Sequence, residues 1–182
     1  MKIVAFTPSR LNSQRVPQKN IKMLGRMPLV NYALEAMNRI RSIDEIVIFA
    51  SESSICNYIR PDLKYRLIER PAFLDTQEAK VQDLIREFLK ASDADIILMF
   101  HLTSPFLRPE TVDECIEKVR DGEYDSAFTA FSIDMRCWFK GRPLNFSSIN
   151  ENPEKLEPVI VEHSLYIFRR KVFETAGRRI SV

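Results

Sequence analysis

The sequence predicts an α/β fold: a mostly parallel sheet with helices on both faces. Three observations carry this. Through Ile133, short apolar runs alternate with stretches of helical period in the order β-α-β-α-β-α-β-α-β, the pattern of parallel strands linked by crossover helices. The most apolar run, Asp95–His101 (Asp-Ile-Ile-Leu-Met-Phe-His), suits a central strand buried on both faces. The first run, Ile3–Phe6, opens straight into a polar, basic loop over Thr7–Asn20, and open α/β sheets bind ligands beyond the carboxyl ends of their strands.

The elements follow in order. Lys2–Phe6 reads as the first strand. A helix is expected from Pro28 to about Arg39, with Leu29, Tyr32, Ala33, Ala36 and Met37 on one face and proline at its first position. Glu45–Ala50 is a buried-strand pattern, and Ser51-Glu52-Ser53-Ser54 after it can cap a short helix. Leu63–Glu69 reads as a third strand. Thr76–Ala91 reads as a helix with Val81, Leu84, Ile85, Phe88 and Leu89 inward. Pro109 and Thr111 open a helix to about Arg120, and Ser126–Ile133 reads as a strand.

From Met135 the character changes. Trp138, Phe139 and Phe146 surround Gly141-Arg142-Pro143, a predicted hairpin. Asn150–Pro158 reads as a polar loop, and Val159–Val161 and Ser164–Phe168 as extended pieces. Arg169–Thr175 reads as a short helix ended by Gly177. A chain of 182 residues suits one domain, 1–182, with an excursion at 135–161.

Composition excludes several function classes. At 45% hydrophobic and 29% charged the chain is an ordinary folded protein. No apolar run approaches the ~18–20 residues that span a bilayer, and the first four-residue run is no signal peptide, so a cytoplasmic location without membrane contact is expected. Three dispersed cysteines without a CxxC pair argue against disulfides or zinc. Two histidines without HExxH argue against a metallohydrolase. A net charge of +2 is too mild for a nucleic-acid partner.

The charge is nonetheless local. No Asp or Glu precedes Glu35, while Lys2, Arg10, Arg15, Lys19, Lys22 and Arg26 fall within that span. An external anion, a polyphosphate above all, would complete such a site. The loop has no glycine before Gly25, so it is neither a Walker A loop nor a GxGxxG turn. Phosphate binding would rest on side chains and backbone amides together, with Arg10 as a fork, Lys19 as a mobile point charge, and Ser9, Asn12, Ser13 and Asn20 as hydrogen-bond donors.

The loop reads Ser9-Arg10-Leu-Asn-Ser13-Gln-Arg-Val-Pro17-Gln-Lys19-Asn20, followed by Gly25 and Pro28-Leu29. It resembles the nucleotide loop of the sugar-acid cytidylyltransferases, above all the acylneuraminate (CMP-sialic acid synthetase) family. That pattern runs A-R-x-x-S-x-x-x-P-x-K-N, then a glycine and P-L. Arg70-Pro71-Ala72 is similar to the family's R-P-A. Thr103-Ser104-Pro105 with Arg108 is similar to the end of Q-P-T-S-P-L-R, and Ser164-Leu165-Tyr166-Ile167 to N-G-A-I-Y-I.

The resemblance implies a Rossmann-like, three-layer α/β/α nucleotidyltransferase (GT-A-like) fold with a small β excursion. It implies transfer of CMP from CTP to a 2-keto-3-deoxy sugar acid, with Mg2+ as cofactor and pairing into a homodimer through about Met135–Val161. Arg10 and Lys19 would act in catalysis by holding the triphosphate. Ser9, Asn12, Ser13, Asn20 and Arg70 would bind the nucleotide, and Thr103 and Ser104 would face the sugar. The family's metal ligands, a D-x-D, would lie beyond Val182, making the chain some ~40 residues short of the usual single-domain size.

The departures concern the sugar. His101 stands at the family's glutamine and Leu102 at its proline, Glu162 at its asparagine and His163 at its glycine. His101 reads equally as a structural residue or a sugar contact. Glu162 would repel an acidic substrate unless it binds a hydroxyl, an amine or a metal. Two alternatives stand beside the leading reading: a nucleotidyltransferase for another sugar or nucleotide, and a truncated homologue that binds nucleotide without turnover. Trp138, Phe139 and Phe146 read as a packing or dimer surface, Lys118/Arg120 and Arg169/Arg170/Lys171 as solvated helix faces, and Cys56 and Cys115 as small buried residues.

Overall fold

The strands are β1 (Ile3–Ser9), β2 (Met23–Leu24), β3 (Met27–Pro28), β4 (Glu45–Ala50), β5 (Arg66–Glu69), β6 (Ile96–Phe100), β7 (Ser126–Ile133), β8 (Trp138–Phe139), β9 (Arg142–Pro143) and β10 (Val159–Arg169). The helices are α1 (Leu29–Asn38), α2 (Val81–Lys90), α3 (Pro109–Arg120) and α4 (Arg170–Ala176). They belong to a computed structural model that describes every residue except Gln14, Asn150, Glu151 and Val182. The start of the expected 150–158 loop thus lies outside the described residues. The chain divides into two compact units, Met1–Phe128 with Ser164–Val182, and Thr129–His163.

The main sheet has the order β5-β4-β1-β6-β10-β7. β5, β4, β1 and β6 run parallel, and β10 runs antiparallel to β6. Alternation along the strands builds two cores. Ile3 and Ala5 of β1 and Leu98 of β6 face α1 and α3 through Leu34, Met37 and Ile116. Val4 and Phe6 of β1 and Met99 of β6 face α2 and α4 through Phe88 and Phe173. The Phe6 and Phe88 rings stack at 4.1 Å. Three layers result, as the apolar patterning predicts.

Several boundaries differ from expectation. β1 runs on to Ser9, and its last β6 partner is Phe6, opposite Met99. Pro8, with no N–H to donate, lies where the two strands part. Pro28 caps α1 from a two-residue strand rather than opening the helix. Gly25, at φ 61, forms the β2–β3 turn against the Tyr32 hydroxyl. α2 starts at Val81, not Thr76, because the Lys80 N–H donates to the Asp83 carboxylate at 3.1 Å and begins the helix there. The hydroxyl of Ser51 binds the Asp75 carboxylate instead of capping a helix. The two extended pieces near the end form one strand, β10, broken locally by Ser164 at φ 74.

Arg169 and Arg170 are half-buried and bonded to main chain rather than lying on solvated faces. Arg169 Nη2 donates to Val119 O at 2.5 Å and Arg120 O at 3.2 Å, at the end of α3. Arg170 donates to Ser92 O at 2.7 Å and Leu89 O at 2.9 Å, at the end of α2. These two helices cover opposite faces of the sheet, and neighbouring residues at a strand end project to opposite faces. Adjacent arginines therefore donate to the last carbonyls of two helices, where no helical N–H follows to accept from.

In the second unit β8 and β9 form the predicted hairpin. Lys140 (φ 49) and Gly141 (φ 77) make a two-residue turn with both centres left-handed. Asn145 ties it together, accepting from Cys137 N at 2.8 Å and donating to Glu157 O at 2.8 Å. Trp138 and Phe139 remain more than half exposed.

Candidate functional site

Strand order places the site. From β1 the sheet extends one way through β4 and β5 and the other way through β6, so the order reverses between β1 and β6. The carboxyl ends of two such strands splay and leave a crevice. A cavity of about 710 Å³ opens there, with Pro8 and Arg10 from the end of β1 and His101, Leu102 and Thr103 from the end of β6 in its wall. Ser13, Arg15, Lys19 and Asn20 come from the first loop, and Arg70 from the end of β5. Thr76, Gln77, Ala79 and Lys80 come from the arm before α2.

The loop is held from within. Gln18 adopts a left-handed conformation (φ 52), and a 3-10 turn at Lys19–Ile21 follows. That turn buries Asn20, whose Nδ2 donates to Ser9 Oγ at 2.9 Å and to Arg10 O at 3.1 Å. Arg10 Nη1 donates to the main-chain O of Asp75 at 2.5 Å. Arg70 is almost fully buried, and its Nη2 pairs with the Asp75 carboxylate. Its Nε is buried without a partner among the described residues.

Charge is concentrated in the cavity. Arg10, Arg15, Lys19, Arg70 and Lys80 line it, with no carboxylate among the described lining residues. Burial lowers the Lys19 pKa below that of an ordinary lysine, and the Arg15 and Arg10 charges lower it further. Burial also lowers the pKa of Arg70, which Asp75 opposes and Arg10 reinforces. Such a cavity favours a polyanion, which relieves the repulsion among its cations. The acid-free stretch of sequence contributes only in part: Lys2 pairs instead with Glu45 and Asp93.

A family model described as Cytidylyltransferase matches residues 4–174. The chain belongs to the cytidylyltransferase family. It is 26% identical over 155 residues to N-acylneuraminate cytidylyltransferase A of Danio rerio, covering 83% of this chain and 36% of that protein. It is 29% identical over 125 residues to the CMP-N,N'-diacetyllegionaminic acid synthase of Legionella pneumophila, covering 64% of this chain and 53% of that one. The chain thus matches about a third of the length of the first relative and half of the second. In fold it is similar to a CMP:2-keto-3-deoxy-manno-octonic acid synthetase complexed with CTP, with a TM-score of 0.76 at 17% identity, covering all of this chain and 80% of that one.

Within this chain, Arg10, Ser13, Lys19, Asn20, Arg70, His101 and Thr103 share the cavity wall. Ser9 stands behind it as the acceptor for Asn20. Asn12 borders a separate depression of about 310 Å³ with Pro17, Gln18 and Glu52. Ser104 turns its hydroxyl to that of Ser164, whose carbonyl accepts the His101 N–H at 3.0 Å. Glu162 is an exposed residue of the second unit. Lys80 and Gln77 join the wall because α2 starts at Val81 and leaves 76–80 outside the helix. The clue was Asp83, three residues after Lys80, which starts the helix late. Among the described residues no three His, Cys, Asp or Glu side chains gather. The described lining of this cavity offers no carboxylate ligand to a metal ion.

Proposed function

We propose that this protein transfers CMP from CTP to the anomeric oxygen of a 2-keto-3-deoxy sugar acid, a nonulosonic acid such as sialic acid or a relative, and releases pyrophosphate. The observation that carries this reading is the glycine-free cavity at the strand-order reversal, lined by five cations and no carboxylate among the described residues. The relatives named for sugar acids support the acceptor class.

The sugar hydroxyl attacks the α-phosphorus in line: the new O–P bond forms as the hydroxyl proton passes to solvent, and the bond from the α-phosphorus to the oxygen bridging to the β-phosphate breaks, releasing pyrophosphate. The protein's contribution is positioning and charge. Arg10 and Lys19 hold the triphosphate and meet the charge that grows on the departing pyrophosphate. Asn20 ties the loop to the end of β1 through Ser9 and Arg10, and Arg70 offers donors to the nucleotide. Thr103 and His101, at the end of β6, face the acceptor side. Magnesium enters the proposal as a companion of the triphosphate, and no described residue is assigned to it.

A homodimer through the exposed aromatic hairpin and a cytoplasmic setting belong to the same proposal. No helix among the described residues is long and apolar enough to cross a membrane.

The test is calorimetric titration with CTP and magnesium, then pyrophosphate release over a panel of nonulosonic acids and Kdo. Arg10→Ala or Lys19→Ala should lower kcat by about 10²–10³ with the fold intact. CTP binding with no release on any sugar would leave a nucleotide-binding homologue, and an Arg10→Ala variant with wild-type turnover would show that the loop is not the triphosphate site.

A further inference from the structure

Asp75 is the acid that the two arginines of the nucleotide site share. It ends the 3-10 turn Ala72–Asp75, which Leu74 anchors in the core. One carboxylate oxygen accepts from Arg70 Nη2, and the other from the hydroxyl of Ser51 at the end of β4. Its main-chain carbonyl accepts from Arg10 Nη1 at 2.5 Å. The side chain is 13% exposed and Arg70's is 3%. The carboxylate stands behind the cavity wall, whereas its neighbours Leu74 and Thr76 are part of that wall.

One residue thus joins the ends of β1, β4 and β5. The carboxylate fixes the turn to Arg70 and Ser51, and the fixed turn holds out the carbonyl that orients Arg10. A guanidinium carries five N–H donors in a rigid fork, so a bond through Nη1 sets the plane of the fork and leaves its other donors for a ligand. Arg70, held through Nη2, has Nε unpartnered among the described residues. Both cations are oriented in advance, which lowers the ordering cost when a polyphosphate arrives.

We propose that Asp75 is a positioning residue of the nucleotide site, aligning Arg10 through its carbonyl and Arg70 through its carboxylate for a nucleoside triphosphate. This rests on the nucleotide-binding reading above. What matters is the location of the two carboxylate oxygens, more than the charge they carry. Asparagine keeps an acceptor for Arg70 and places a donor toward Ser51 in the same outline. Glutamate keeps the charge but moves both oxygens by one methylene and pushes the turn out of place.

The experiment measures binding of CTP and, separately, of inorganic tripolyphosphate by titration calorimetry, with melting curves to establish that each variant is folded. Asp75→Asn should bind CTP within about threefold of wild type, while Asp75→Glu and Asp75→Ala weaken it about tenfold or more. If Asp75→Ala fails to fold, the Asn and Glu variants decide. The double variant Arg10→Met/Asp75→Glu should lose less affinity than the sum of the two single losses, since Asp75 acts partly through Arg10 and keeps only its effect on Arg70 once Arg10 is gone; a merely structural role gives additive losses. Glutamate binding like wild type, or all variants binding alike, would overturn the proposal while leaving the nucleotide site standing. A wild type that binds tripolyphosphate but not CTP would instead sink the cytidine reading, with Asp75 then judged by the same variants on tripolyphosphate. A wild type that binds neither overturns both.

Discussion

Arg170→Met should destabilise the protein by about 1.5–3 kcal/mol, a figure that follows from its bonds. The guanidinium makes two short bonds to carbonyls, to Ser92 O at 2.7 Å and Leu89 O at 2.9 Å, with a third contact to Ala94 O at 3.5 Å. Hydrogen bonds to a charged group contribute about 1.5–3 kcal/mol each when buried. The side chain is 29% exposed, so water can replace part of the interaction, and we halve the sum of the two short bonds. Leu89 O lies in the last turn of α2, where no helical N–H can reach it. Methionine keeps the stem's packing and removes only the donors. For a chain of this length, the loss corresponds to a fall in melting temperature of about 3–12 °C. Scanning calorimetry on wild type, Arg170→Met and Glu174→Gln separates the carbonyl bonds from the ion pair. The exposed i,i+4 pair with Glu174 should contribute no more than about 0.5 kcal/mol. Below the transition, CTP affinity should not change, because only the other end of α2 enters the cavity, about 15 Å away along the helix. An Arg170→Met melting temperature within about 1 °C of wild type would refute the capping argument.

Two further predictions concern the cavity and the second unit. Lys19 has a lowered pKa in the empty site, and a bound polyphosphate raises it, so binding takes up a proton. Affinity for CTP should therefore be full below the empty-site pKa and fall as pH climbs through it, at lower pH than an ordinary lysine would give. Arg15→Gln should move that fall to higher pH, and titrations across alkaline pH in buffers of different ionisation enthalpy read both effects. Trp138 and Phe139 are 57% and 61% exposed, and a dimer through this hairpin should be lost in Trp138→Ser/Phe139→Ser. Light scattering at micromolar concentration measures the mass, and a wild-type monomer would remove the pairing.

The layers and the family were legible in the amino-acid order alone. Alternation in β1 and β6 assigned each apolar residue to a face, because side chains along a strand take turns, and that local rule needs no knowledge of the fold. The loop from Ser9 to Asn20 was legible for a similar reason: cations without nearby acids stand out in one dimension. Tertiary structure decided which of those charges belong together. It sent Lys2 to Glu45 and Asp93, and brought Arg70 and Lys80 to Arg10, Arg15 and Lys19 across about sixty residues of sequence. It also gave Asp75 three partners from three strand ends and made helix caps of Arg169 and Arg170, which read in sequence as solvated charges. The physical reason is that periodicity reports which side of an element is buried. What a polar side chain bonds to depends on which strand ends the sheet brings side by side, and the strand order that sets this is a property of the whole chain.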